Sequence, residues 1–162
     1  MAKTHASAAR APRTTPRIAR ATSAATKAPA ARPASGRPAA KRTTPARLPK
    51  AVTTAIAAAQ DRKAQDIVVL DLRKAGGFTD FFVICTGNNP RHITAIADAV
   101  RDTLKKQLDE RPALAEGVDK SEWILLDYFN FVVHIFSRDC RSFYALERLW
   151  GAADRIEFPD QE

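Results

Sequence analysis

The 162-residue chain has a net charge of +8, but the charge is split: the first fifty residues hold twelve Lys or Arg and no Asp or Glu, while the remaining 112 hold 14 against all 18 acids, a net −4. That length accommodates one domain of ordinary size plus a basic extension. No run of about 18 apolar residues occurs, so no segment is long and apolar enough to cross a membrane as a helix, and the N-terminus lacks the apolar middle region of a secretory signal.

Residues 1–47 are built of Ala, Pro, Arg, Thr and Ser, and apart from Met1 and Ile18 they carry no large apolar side chain. Such a segment cannot bury enough surface to offset its ordering entropy, and disorder is expected. It reads as a soluble extension, as a polycation holding RNA through phosphate contacts, or as an organellar transit peptide. Arg32, Arg37, Lys41, Arg42 and Arg47 are the candidate phosphate contacts. Prolines at 12, 16, 29, 33, 38 and 45 count against a long amphipathic helix of the mitochondrial kind.

Order is expected from Leu48. Pro49 suits a first helical turn, and Val52, Ile56 and Ala59 recur along one side of a helix ending about Lys63. Ile67 to Leu72 reads as a short apolar strand, and Phe78 to Thr86 as a second, rich in β-branched and aromatic residues. Asn89 and Pro90 then announce a helix as cap and first residue. Ile93, Ile96, Ala97, Val100, Leu104 and Leu108 give it the clearest apolar stripe in the chain, with Asp98, Arg101, Asp102, Lys105 and Lys106 on the wet side. Residues 109–120 read as a polar loop.

Glu122 to Tyr128 and Phe131 to Phe136 follow as two strands joined by Phe129 and Asn130. A link this short needs positive φ at its centre, which Asn tolerates and Phe tolerates poorly. Counting by twos puts Trp123, Leu125 and Asp127 on one face and Ile124, Leu126 and Tyr128 on the other. Strands apolar on both faces need cover on both sides, or one face kept for a partner. A last helix, capped by Ser137 or Asp139, aligns Phe143, Leu146 and Trp150 and ends at Gly151; Arg155 to Phe158 adds an edge segment. The expected fold is an α/β layer sandwich with a mixed β-sheet and flanking helices, in the order α-β-β-α-β-β-α.

Chemistry is hard to find in these residues. Cys85 and Cys140 lack the spacing of metal or redox motifs and read as reduced core residues. His134, mid-strand, reads as structural. Thr86 and Gly87 before a helix N-terminus could cradle an anion, but the acids Asp66, Asp71, Asp80 and Asp127 are scattered singly, without the paired carboxylates of a two-metal site. No cofactor, metal or catalytic residue is expected. The open alternatives are a nucleotidyltransferase-like enzyme and a general RNA-binding protein acting through its tail.

The segments DIVVLDL (66–72), TDFFVICTGNNPRH (79–92), AIAD (95–98), WILLD (123–127), VHI (133–135) and FYALERLW (143–150) together resemble the ribosomal silencing factor family, also called Iojap-like, over roughly residues 50–158. The resemblance implies a nucleotidyltransferase-like fold without transferase activity. It implies binding to the large ribosomal subunit through ribosomal protein number fourteen, and steric exclusion of the small subunit when nutrients are scarce or while the large subunit matures. Matched to the family's tryptophan-led strand, Trp123, Leu125, Asp127 and Tyr128, with Arg91 and His92 at the adjoining helix start, are the expected partner-binding residues. Two features depart from the family's pattern: Phe129 and Asn130 stand where a Gly-Asp turn is common, and the basic tail is long. The expected location is a bacterial cytoplasm, or a mitochondrion or plastid if the tail is a transit peptide, and the apolar sheet faces leave a homodimer open.

Overall fold

In the computed structural model of this protein, residues 48–120 and 122–161 are described, so the basic tail with Arg32, Arg37, Lys41, Arg42 and Arg47 lies outside the described residues. The described chain runs α1 (Lys50–Asp61), β1 (Gln65–Asp71), β2 (Phe81–Thr86), α2 (Pro90–Leu108), β3 (Leu114–Glu116), β4 (Trp123–Asp127), β5 (Phe131–Phe136), α3 (Arg138–Tyr144), α4 (Leu146–Leu149) and β6 (Asp154–Glu157). The strands form one mixed sheet in the order β3-β4-β5-β2-β1-β6.

The long helix α2 sets this topology. Asn89 caps it by accepting the His92 N–H at 2.9 Å, and Pro90 occupies the first turn, an arrangement worth about 1 kcal/mol. Its stripe of Ile93, Ile96, Ala97, Val100 and Leu104 is buried as the spacing predicts. A helix of this length returns the chain to the start of the sheet, so that β5 can pair parallel to β2, Phe81 opposite Phe131 and Thr86 opposite Phe136. The other strand pairs are antiparallel.

The alternation of the strands separates two cores. Ile67, Val69, Val83, Cys85, Ile124, Leu126, Val133 and Ile135 face α1 and α2. Val68, Leu70, Phe82, Ile84, Val132 and Phe136 face the other way, against Leu146 and Trp150 from the C-terminal segment. β2 and β5 are buried along their whole length, which explains why they read as continuous apolar runs.

Four local features differ from expectation. The C-terminal helix is broken in two: Ser137 caps α3 by accepting the Cys140 N–H, but Ala145 turns left-handed at φ +44°, and α4 starts afresh. The break reorients the stripe, so Leu146 and Trp150 pack on the sheet while Phe143 points to solvent. Residues 109–120 contain the edge strand β3, which is exposed throughout and so carries no apolar alternation to betray it. β2 begins at Phe81, leaving Phe78 exposed. The hairpin turn places its positive φ at Phe129, not at Asn130.

Arg141 ties the C-terminal segment to the sheet. One Nη donates to the Asp66 carbonyl and the Thr86 hydroxyl, each at 2.7 Å, and Nε and the second Nη grip Glu147 at 3.0 and 2.7 Å. Both of these donors meet the same oxygen, Glu147 Oε1, and with the partners largely shielded from water the pair is stronger than a surface ion pair.

Gly117, between β3 and β4, has φ +79°, and a Cβ there would stand 1.9 Å from the Trp123 carbonyl oxygen. Gly117→Ala is therefore expected to destabilise the protein by about 2 kcal/mol or more, from left-handed strain and backbone displacement together. Urea unfolding checks this, and an unchanged midpoint contradicts it.

Candidate partner-binding surface

Alternation along β4 decides which expected residues can act together. Trp123, Leu125 and Asp127 are half-buried on the face opposite α1 and α2, whereas Ile124, Leu126 and Tyr128 are buried beneath the helices. Tyr128 stacks on Phe131 at 4.8 Å, and burial pushes its phenol up to about 12. It sits behind the strand and does not share the Trp123 face.

Trp123 is held by its neighbours. Its indole N–H donates to His134 Nδ1 at 3.2 Å, and its ring stacks on Phe136 at 5.0 Å. His134 must be neutral at Nδ1 to accept this bond. Burial among Phe82, Trp123 and Phe136 achieves that, pushing the imidazole down to about 4. His134 is thus a structural acceptor that orients the indole.

The surface also recruits residues not expected from the sequence. Tyr144, at the end of α3, lies 4.6 Å from the Trp123 ring, and Phe143 meets Tyr144 edge-on at 5.1 Å. Exposure rises along this row, from half-buried Trp123 to 46% at Tyr144 and 81% at Phe143; Leu149 on α4 is also exposed, at 72%. The available signal was the adjacency of Phe143 and Tyr144, since neighbouring helical residues cannot both face one sheet.

Arg91 and His92 lie on the other side of the sheet, with α2. Arg91 is exposed. The His92 ring is committed to backbone: Nδ1 accepts from the Asn88 N–H at 3.0 Å and Nε2 meets the Arg62 carbonyl at 2.6 Å. It splices α1 to the start of α2. Asp127 likewise serves the fold, accepting the Phe129 N–H at 2.8 Å.

The anion cradle considered at Thr86 and Gly87 is closed by the chain itself. The Gly87 N–H donates to the Phe136 carbonyl, Asn88 N–H to His92, and the Thr86 hydroxyl accepts from Arg141. Below it a cavity of about 900 Å³ is lined by Asp66, Arg138, Arg141, Glu147, Arg155 and Glu157 among others. Four of its ionic groups pair internally, Arg141 with Glu147 and Arg155 with Glu157, while Arg138 donates to Gln65 and the Asp160 carboxylate accepts the Asp66 N–H. Cys85 is buried, with its thiol pushed up to about 12 by desolvation, far from the ionised form a nucleophile needs.

The buried His134 makes stability depend on pH. Its folded value near 4 lies below the ordinary 6.5, so between these values the unfolded chain binds the extra proton and the folded one does not. Stability is therefore full above pH 6.5 and declines as pH falls toward 4, by roughly 3 kcal/mol from this group. Urea unfolding at pH 7 and 4.5 should show a smaller acid loss in His134→Gln than in the wild type, and equal losses contradict the assignment.

A family model described as ribosomal silencing factor during starvation matches residues 45–162. The ribosomal silencing factor RsfS of Bacillus subtilis is 41% identical over 102 residues, spanning 61% of this chain and 83% of that protein. Protein Iojap, chloroplastic, of Zea mays is 42% identical over 103 residues, spanning 63% of this chain and 44% of that one. A crystal structure of a Chromobacterium violaceum protein superposes with a TM-score of 0.60 at 31% identity, covering 68% of this chain and 88% of that one. The chain belongs to the ribosomal silencing factor family, whose members are ribosome-binding factors and not enzymes.

Proposed function

We propose that this chain binds the large ribosomal subunit through ribosomal protein number fourteen and sterically blocks joining of the small subunit, repressing translation when nutrients are scarce. The supporting observation is the aromatic row Trp123, Tyr144 and Phe143, which climbs from the sheet into solvent. Exposed apolar rings anchored on a rigid element cost hydration in the free protein and recover it when a partner covers them. Leu125, half-buried beside Trp123 on the same strand face, extends the row. Blocking needs no reaction, only a bound domain standing where the small subunit would dock.

The tail adds an electrostatic contribution. Twelve cations in the first fifty residues would meet rRNA phosphates beside the docking site, raising encounter rate and affinity. Each phosphate contact would steepen the fall of log K with log salt by roughly 0.9 if it behaved as on duplex DNA.

Sedimentation of ribosomal subunits with the protein tests both parts. The wild type should travel with the large subunit and lower the joined-ribosome peak, while Phe143→Ala, at a solvent-facing position, should keep its fold and bind about tenfold more weakly. A Phe143→Ala variant that binds and blocks like the wild type argues against this docking face. Deleting residues 1–46 should weaken binding at low salt and leave subunit exclusion intact. Unchanged low-salt affinity removes the tail from the interface; binding of the wild type to both subunits alike, lost with salt, would make the tail the main binding element.

A further inference from the structure

The turn between β4 and β5 holds an aromatic side chain where the backbone least favours one. Phe129 has φ +65°, a region that glycine enters freely and a bulky L-residue does not. Its ring recovers little within the chain, being 77% exposed. Both the backbone and the ring are therefore in unfavourable settings in the free protein.

The conformation is enforced from several directions. The Phe129 N–H donates to Asp127 Oδ1 at 2.8 Å, and its carbonyl accepts from the Thr79 hydroxyl at 2.9 Å. The Asn130 N–H reaches back to the Tyr128 carbonyl at 2.8 Å, closing a three-residue turn, and the Asn130 carbonyl accepts from the Asp80 N–H at 3.1 Å. A strained residue so over-determined keeps its position. A backbone already fixed aims the ring at one place, so only the side-chain rotation remains to be lost when a partner covers it, which is the economy of a preorganised anchor.

The surroundings identify the kind of partner. The turn lies at the end of β4, the strand that carries Trp123 and Leu125, so it continues that face. Leu114, 47% exposed, pairs opposite Asp127 on β3, and Phe78, 76% exposed, directly precedes the Thr79 that holds the turn. Lys50 and Arg73 lie near the turn on the helix-covered side, against Phe131 and Phe81, whereas the face that carries Trp123 and Leu125 presents the acids Asp127 and, opposite Leu125 on β3, Glu116. Carboxylates repel phosphate, so that face suits a basic protein surface with an apolar recess and not rRNA.

We propose that Phe129 is a specificity-determining anchor that inserts into an apolar recess of the protein component on which the Trp123 face docks. This rests on the docking reading above.

The test compares the full-length wild type, Phe129→Gly and Phe129→Leu for urea midpoint and for affinity toward purified large subunits at fixed salt, with Phe143→Ala alongside. Glycine relieves the backbone while removing the ring, so Phe129→Gly is expected to unfold at an equal or higher urea concentration yet bind about tenfold more weakly. Phe129→Leu, keeping apolar bulk, should fall between. Wild-type affinity in Phe129→Gly overturns the anchor, and if Phe143→Ala is weakened in the same series the docking reading survives alone. Parallel loss of stability and affinity in Phe129→Gly would assign Phe129 to the fold and also overturn it. A wild type that does not bind large subunits ends both.

Discussion

Two-sided burial of β2 and β5 is the constraint on which the rest of this molecule depends. Strands apolar on both faces must be covered twice, and the chain covers them unequally. α1 and α2 spread a continuous layer over one face, where side chains from β1, β2, β4 and β5 all reach the same core. The opposite face receives two short helices with no fully buried residue, which cover it through the partly buried Leu146 of α4 and Trp150 just after it. They protect β1, β2 and β5 but only graze β4. The half-covered Trp123 and Leu125 follow from that inequality, and so does the position of the proposed docking surface at the β4 side.

The thin second layer is held by polar contacts where apolar area is short. Arg141 reaches the backbone of β1 and the hydroxyl that ends β2 while gripping Glu147 across the Ala145 break. His134 performs the matching task inside the layer, since a neutral imidazole accepts the indole N–H at Nδ1, although its own Nε2 stays buried without a partner. Each device keeps an aromatic or a helix in place and leaves its outer side free. Rigid support beneath and exposed rings above is the combination that makes a hot spot, because little ordering is left to do on binding.

The parts of this fold legible in the sequence are those where local and tertiary preferences agree. Asn89 and Pro90 mark the start of α2 because capping chemistry is local, and the helical spacing of Ile93 to Leu104 names its buried side without reference to neighbours. The alternation in Trp123 to Tyr128 likewise survives intact. What could not be read depends on distant partners. β3 exists because Leu114 to Glu116 finds β4 as a neighbour, not because of its own pattern. The break at Ala145 follows from Arg141 and Glu147 closing on each other and on the sheet, and it sends Phe143 outward against its helical spacing. Of the expected binding residues, Trp123 and Leu125 lie together, Tyr128 faces the helices, and His92 joins α1 to α2, because motif membership alone does not distinguish a contact from a strut.

That distinction bears on how Phe129 is understood. Two residues that serve the fold spend polar groups within the chain: His92 uses both ring nitrogens, and Asp127 spends a carboxylate oxygen on the turn. Phe129 is the reverse case, a residue for which the fold works and which repays nothing in stability. Local rules broken without internal compensation mark places where selection acts on something outside the chain. The same reasoning separates Phe143 from Trp150, two aromatics of one C-terminal segment: Trp150 packs edge-on against Phe82 and stabilises the second layer, whereas Phe143 leaves most of its ring in water. A surface assembled from such uncompensated rings, on a rigid scaffold, suits the covering partner proposed above.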